Sequence, residues 1–90
     1  MAHLFFVVAS PYQGKILIVI VKLVGIFQIG RFKEESREYP TGTSVRKVLD
    51  ELHIPDPLLG IVLINDIHAG VADLLHDGDT LCLLPFIDGG

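Results

Sequence analysis

Residues 77–90 read DGDTLCLLPFIDGG, a stretch that joins a turn, a strand and a glycine tail. The first three residues, Asp77-Gly78-Asp79, predict a tight turn that leads into the last strand. Because glycine has no Cβ, Gly89-Gly90 forms a narrow tail that can enter a tight channel with its carboxylate first. A frayed terminus is the alternative interpretation. Successive strand side chains point to opposite faces, which puts Leu81 and Leu83 on one face and Cys82, Leu84 and Phe86 on the other.

Upstream of this stretch, short apolar runs separated by turn residues predict two more strands. Ile61–Ile64 is rich in β-branched residues and reads as a buried strand. Asn65-Asp66 tolerates left-handed backbone conformations and predicts a turn. Ile67–Ala69 follows as a short returning strand. Ala72–Leu75 is expected to form a single helical turn.

One segment carries a clear helix pattern, from Ser44 to Leu52. Thr43 or Ser44 caps it, because a side-chain hydroxyl accepts a hydrogen bond from an unpaired backbone N–H. Pro55 and Pro57 follow and prevent the helix from continuing. The apolar side chains fall at spacings of three and four and form one stripe: Val45, Val48, Leu49 and Leu52.

The first third of the chain predicts a hairpin. Ile16–Val21 and Val24–Phe32 are rich in β-branched and aromatic residues, a composition that favours strands. Lys33–Ser36 reads as a charged turn, and Arg37–Pro40 as a short edge strand that ends at a proline. The order is therefore hairpin, helix, strand, short strand and last strand. It predicts a two-layer α+β domain with one helix across one face of a sheet.

Composition limits the class of protein. Ninety residues with a net charge of −4 fit one small globular domain and argue against nucleic acid as a partner. The single cysteine, Cys82, excludes an intrachain disulfide and predicts a reducing, cytoplasmic location. Leu4–Ala9 lacks the preceding basic residues of a signal peptide. Ile16–Ile29 is interrupted by Lys22 and is shorter than the roughly 20 residues that span a membrane, so no membrane partner is expected.

The order of elements, with Ile61–Asn65 and the stretch at residues 77–90 in this register, resembles the ubiquitin-like β-grasp. Within that fold the chain is similar to the MoaD/ThiS family of prokaryotic sulfur carriers, over about Val21 to Gly90. Leu84-Pro85 resembles the MoaD branch, which supplies sulfur for molybdopterin. Ile54–Gly60 is closer to ThiS, the carrier for the thiazole of thiamine. The two branches stay open.

The resemblance implies a protein cosubstrate rather than an enzyme, although such a chain can serve as the small subunit of a synthase. A ubiquitin-activating-like adenylyltransferase of the MoeB/ThiF type would use ATP and Mg²⁺ to adenylate Gly90, and sulfur transfer would give a thiocarboxylate. Gly89 would allow the tail to thread, and this chain itself would bind no cofactor. The acceptor would be the large subunit of molybdopterin synthase, for molybdenum or tungsten cofactor, or else thiazole synthase. The implied partner-binding residues are Leu84, Pro85, Phe86 and Ile87.

Three parts follow from this resemblance. Residues 1–20 are an N-terminal extension without a counterpart in the family, either an extra strand or flexible. Residues 21–87 form the β-grasp domain, and residues 88–90 form an exposed tail. Asp88 departs from the family, in which a smaller uncharged residue is common.

Other residues that carry chemistry give weaker patterns. The four histidines, His3, His53, His68 and His76, lack the spacing of metal ligands on a helix, and no metal site is expected. Cys82 shows no adjacent base that would activate it as a nucleophile. The aspartates at 73, 77 and 79 do not match a calcium-binding loop and favour turns.

Two other functional classes remain open beside the sulfur carrier. The chain could be a protein modifier joined to lysines through Gly90, or a β-grasp binding module whose two terminal glycines carry no chemistry. Detection of a thiocarboxylate favours the carrier, and isopeptide conjugates favour the modifier. Indifference to loss of the tail favours the binding module.

Overall fold

The computed structural model describes residues 15–87, which form a five-stranded sheet and one α-helix. Two short 3-10 turns, Gly25–Gln28 and Asp56–Leu58, connect these elements. The strands are β1 (Ile16–Leu23), β2 (Glu34–Pro40), β3 (Leu59–Ile64), β4 (Ile67–His68) and β5 (Thr80–Pro85), and the helix is α1 (Val45–Glu51).

The strand order across the sheet is β2-β1-β5-β3-β4. The central strands β1 and β5 run parallel, with Val21 beside Leu81, and every other neighbouring pair is antiparallel. Helix α1 covers one face of this mixed sheet. The predicted fold, a ubiquitin-like β-grasp of the α+β class, is confirmed.

Helix α1 forms where its pattern predicts and packs as expected. Ser44 is the N-cap, and its hydroxyl accepts a hydrogen bond from the backbone N–H of Lys47 at 3.4 Å. The apolar stripe of the helix is buried against the strands, so the helix and the sheet share one core. That core consists of Leu17, Val19, Val21, Leu23, Phe27, Tyr39, Val45, Val48, Leu49, Leu52, Ile54, Val62, Leu75, Leu81 and Leu83.

The predicted hairpin is confirmed where Ile16–Val21 pairs with Arg37–Pro40, but it is wrong in Val24–Phe32 and in its turn. Val24–Phe32 is not a strand, because Gly25 and Gly30 adopt φ angles of +61° and +73° and turn the chain. Phe27 lies in the 3-10 turn Gly25–Gln28 instead, and its side chain is buried in the core. Glu34–Ser36, which the sequence assigns to a charged turn, lies in β2 and pairs with β1. Backbone pairing with a central strand thus overrides low strand propensity.

The boundary predicted at residue 20 also needs correction. Strand β1 begins at Ile16, and the side chains of Leu17 and Val19 belong to the core. Residues 1–14, with the apolar run Leu4–Ala9, lie outside the described residues. The part of the domain that the structure describes therefore begins before Val21.

Of three smaller predictions in the second half, one is wrong, one holds in part and one is confirmed. Residues 72–75 form no helical turn; Leu74 makes an isolated bridge with Ser44 instead. Ile61–Ile64 lies in β3 as predicted, but only Val62 is buried, because Ile61 and Leu63 face away from the helix and Ile64 is partly covered. The turn at Asn65-Asp66 is left-handed as predicted, with φ angles of +52° and +66°.

Candidate docking surface and tail exit

The face of the sheet opposite α1 is apolar and open to solvent. In β1 the side chains alternate, so that Ile16, Ile18 and Ile20 point away from the core and are one-third to one-half exposed. Leu84 of β5 and Ile61 of β3 are register partners on this same face. No element of the described chain covers it. We call these residues the open face, and an apolar surface of this kind is a candidate interaction site.

The open face continues into a groove at the end of β5. The groove has a volume of about 290 Å³, and its lining is Gly60, Ile61, Leu84, Pro85, Phe86 and Ile87. Phe86 is 62% exposed and Ile87 is 79% exposed, although both are large and apolar. The four residues predicted to bind a partner, Leu84 to Ile87, therefore line one surface. Their binding role stays a prediction.

The chain leaves the sheet at Phe86. The backbone N–H of Phe86 donates to the carbonyl oxygen of Leu58 at 2.6 Å, which holds the end of β5 against the start of β3. Ile87 follows and is the last described residue. Gly89 and Gly90, the predicted reacting residues, lie outside the described part of the chain. Among the described residues, the Phe86 N–H is the last backbone group before them that is anchored by a hydrogen bond.

Gly60 makes this anchorage possible, and sequence reasoning did not assign it a role. The pairing of β3 with β5 shifts register between Leu59 and Ile61, so that Gly60 lies in a bulge. A Cβ built on Gly60 would be 2.7 Å from the carbonyl oxygen of Pro85 and 2.8 Å from the Cα of Phe86. An isolated glycine inside a strand pattern is the available sequence signal for such a close approach.

The 3-10 turn after β1 supports β5 from the other side. The backbone N–H of Val24 donates to the carbonyl oxygen of Leu83 at 3.1 Å. A Cβ on Gly25 would lie 3.4 Å from the Pro85 ring. The end of β5 is thus held between two glycines, Gly25 and Gly60, in neighbouring elements.

The aspartates after β4 act in turns. Asp79 is buried, and its carboxylate accepts hydrogen bonds from the Asn65 amide and from the backbone N–H of His76, both at 2.8 Å. Each of its two carboxylate oxygens therefore has a donor. Asp77 accepts from the backbone N–H of Ile18, and Asp73 from that of Gly70. These bonds fix the loop that leads into β5, and so they serve the fold.

The remaining candidates do not form a chemical site among residues 15–87. Cys82 lies on the open face, and partial burial raises the pKa of its thiol, which lowers its reactivity as a nucleophile. Within that range, no three side chains of the metal-binding types come together to hold an ion. His3 lies outside the described residues.

None of the helices formed by residues 15–87 has the length and apolar content needed to cross a membrane.

Comparison with known proteins finds matches in structure but not in sequence. No protein-family model and no curated protein sequence matches the chain. The solution structure of the HVO 2177 protein of Haloferax volcanii superposes with a TM-score of 0.69 at 22% identity, covering 90% of this chain and 97% of the other.

Two further structures carry functional names. Molybdopterin converting factor, subunit 1, of Pyrococcus furiosus gives a TM-score of 0.65 at 23% identity, covering 79% of this chain and 99% of its own. A complex of subunits 1 and 2 of molybdopterin-converting factor from Helicobacter pylori gives a TM-score of 0.58 at 23% identity, covering 82% of this chain and 100% of the other. The chain therefore shares the β-grasp fold of these proteins.

Proposed function

We propose that this chain is a sulfur-carrier protein that acts in molybdenum or tungsten cofactor biosynthesis. The observation that carries the proposal is the end of β5: an exposed apolar surface at Phe86 and Ile87 leads directly into Asp88-Gly89-Gly90. Structural likeness to proteins named molybdopterin converting factor, subunit 1, supports the same function. The chain is a cosubstrate in this proposal, and the catalytic groups belong to its partners. The proposed location is the cytoplasm, where thiols stay reduced.

The first partner is an adenylyltransferase of the ubiquitin-activating-like class. A carboxylate is a poor electrophile, so one Gly90 oxygen attacks the α-phosphorus of ATP, forms an acyl-adenylate and releases pyrophosphate. The partner supplies Mg²⁺ and cationic groups that stabilise charge on the phosphates. This chain contributes a tail narrow enough to reach the buried nucleotide, since neither Gly89 nor Gly90 carries a side chain.

Sulfur enters in the second step. Sulfide, or a persulfide together with a thiol reductant, attacks the carbonyl carbon of the adenylate, and AMP leaves with the carboxyl oxygen that attacked the phosphorus. The product is a thiocarboxylate at Gly90. Transfer of this sulfur to an acceptor, with water supplying the replacing oxygen, returns the free carboxylate. The carrier therefore ends each cycle unchanged.

The second partner in this proposal is the large subunit of a synthase, to which the open face docks. A complex of subunits 1 and 2 is one of the structural neighbours, which supports an assembly of this type. The open-face isoleucines supply apolar area, and the acidic side chains of Glu34 and Glu38 flank them on β2. With a net charge of −4, the chain suits a partner with a basic rim around an apolar centre.

Intact mass spectrometry tests the proposal. The chain is incubated with ATP, Mg²⁺, sulfide and a MoeB/ThiF-type enzyme, and the expected product has one oxygen replaced by sulfur. Fragmentation should place that change at Gly90. A matched sample without ATP should keep its mass. A chain that stays unmodified with an active enzyme, proven on its own carrier, would contradict the proposed function.

Two alternatives have the same fold and the same activation step. A ThiS-type carrier would pass its sulfur to thiazole synthase, and acceptor assays with the two synthases distinguish the branches. A protein modifier would give isopeptide-linked conjugates through Gly90, which appear as higher-mass species after digestion. The resemblance of the sequence Ile54–Gly60 to ThiS keeps the first alternative open.

A further inference from the structure

We propose that Gly60 is a positioning residue that sets the direction in which the tail leaves the domain. The proposal rests on the function proposed above, in which the tail must reach a partner's active site. Its basis is the close approach of β3 and β5 at this one residue. Three backbone atoms of Pro85 and Phe86 lie within 2.8 Å of the place that a Cβ on Gly60 would occupy.

Space, rather than backbone freedom, explains glycine at this position. Gly25, Gly30, Gly42 and Gly78 have positive φ angles, which favour glycine for conformational reasons. Gly60 has no such φ angle, yet its Cβ position is the most crowded of the described glycines. The atoms in the way are backbone atoms, which cannot swing aside as a side chain does. An alanine at this site would therefore push the two strands apart.

The crowded atoms are those that anchor the tail. The carbonyl oxygen of Pro85 and the nitrogen and Cα of Phe86 must move to admit a Cβ. The same Phe86 nitrogen donates its proton to the Leu58 carbonyl oxygen at 2.6 Å, so this hydrogen bond would lengthen or break. It is the last backbone bond that the described chain makes before the tail. Displacement here therefore redirects every residue that follows.

The β1 part of the open face would be largely unaffected by the same substitution. Ile16, Ile18 and Ile20 lie on β1, which β5 separates from β3 in the sheet. If the activating enzyme also docks through these isoleucines, its binding should persist while the carboxylate is misplaced. Because reaction demands close alignment, a misplacement of about 1 Å can cost about 100-fold in rate. A positioning role thus predicts a loss in kcat rather than in KM.

The experiment compares Gly60→Ala with Gly70→Ala in ATP–pyrophosphate exchange catalysed by an adenylyltransferase of the ubiquitin-activating-like class. Gly70 is the matched control, because its φ angle is not positive and an added Cβ meets only the Asp73 carboxylate at 3.9 Å. We expect kcat for Gly60→Ala to fall about 10- to 100-fold, with little change in the KM for the carrier. Gly70→Ala should retain both values.

Amide hydrogen exchange provides the second measurement and needs no enzyme. In the wild-type chain and in Gly70→Ala, the Phe86 amide should exchange slowly, because its proton is bound to Leu58. In Gly60→Ala it should exchange at the rate of an open amide, while the amides of β1 stay protected. This pattern distinguishes a local change at the tail exit from general loss of structure.

The outcomes separate this inference from the proposed function. Wild-type kcat in Gly60→Ala, or an unprotected Phe86 amide in the wild-type chain, would overturn the positioning role. Failure of Gly60→Ala to fold would also overturn it, since Gly60 would then serve the whole fold. If the wild-type chain supports no pyrophosphate exchange, the proposed function fails. Hydrogen exchange of the Phe86 amide in the two variants still decides whether Gly60 anchors the tail.

Discussion

At the scale of single residues, Tyr39 links the edge of the sheet to the helix. Its hydroxyl donates to the Glu51 carboxylate at 2.9 Å and accepts from the Arg37 guanidinium at 3.0 Å. Burial, followed by the interaction with Glu51, raises the pKa of Tyr39 to about 12. The folded protein thus holds the phenol proton more tightly than the unfolded chain, in which the pKa is about 10.

The stability of the protein should therefore fall in alkaline solution. The contribution of Tyr39 is fully present below about pH 10 and is lost as the pH rises through the folded pKa of about 12. Tyr39→Phe should be less stable than the wild type at neutral pH, and its stability should vary less across this window. Urea unfolding at several pH values measures both effects. An equal loss of stability at alkaline pH in the wild type and in Tyr39→Phe would contradict the assignment to Tyr39.

The two terminal glycines give a second prediction at this scale. Gly89→Val should leave the melting temperature unchanged, because the substitution lies beyond the last strand. It should lower the rate of adenylation by at least about 10-fold, because a branched side chain adds bulk and restricts the backbone. Asp88→Ala is the matched control and should retain adenylation. An active Gly89→Val would show that the tail does not pass through a narrow channel.

At the scale of secondary structure, the helix was predictable and the connection before β2 was not. Helix α1 has a cap and an apolar stripe that both depend on neighbouring residues only, so local sequence contains the information. Val24–Phe32 has the composition of a strand, but Gly25 and Gly30 turn it. The strand character of Glu34–Ser36 comes from pairing with β1, a partner that composition alone does not reveal.

Packing of α1 on the sheet makes a sharp prediction. Val48 is fully buried, so Val48→Asp would place an unpaired carboxylate in the core. We expect a loss of roughly 3 kcal/mol or more in the free energy of unfolding. Lys47→Asp, one residue earlier on the exposed side of the helix, should change stability by less than about 0.5 kcal/mol. Urea unfolding of the two variants measures the difference, and similar values would mean that the helix does not pack through this face.

The position of β1 predicts that a chain starting at Val21, the first residue of the predicted domain, should not fold. Such a truncation removes five residues of β1, among them the buried Leu17 and Val19, and their pairing with β2. It should not unfold cooperatively in urea. A chain starting at Lys15 keeps all of β1 and is expected to unfold in one transition. Cooperative unfolding of the shorter chain would contradict the register of β1.

At the scale of the whole molecule, the sequence indicated half of the docking surface. Alternation along the last strand predicted that Leu84 and Phe86 share a face. The isoleucines of β1 were missed, because ILIVIVKL is apolar at nearly every position and gives no alternation from which an open side could be predicted. Gly60 was missed for another reason: its crowding depends on Pro85 and Phe86, which follow it by 25 and 26 positions in the chain.

Docking through the open face can be tested with substitutions that leave the sequence of the tail unchanged. Ile18→Lys should fold normally, because the side chain is exposed and Glu38 lies opposite it in register. It should weaken binding to a synthase large subunit at least about tenfold, since an ammonium group would lose water in an apolar interface. Ile67→Lys, an exposed isoleucine on the other side of the sheet, is the control and should bind normally. Equal affinities in a titration would place the interface elsewhere.

The parallel pairing of β1 with β5 has a consequence for the order of events in folding. Ile18 and the Asp77 carboxylate, joined by a hydrogen bond, are 59 positions apart in the chain. Contacts of such long range require closure of a large loop and slow the folding of small domains. During synthesis the centre of the sheet stays incomplete until β5 has been made, because β1 and β5 are the two central strands. Phe86 is anchored only when β5 has paired, so a chain that has not finished folding lacks the geometry that an activating enzyme would select.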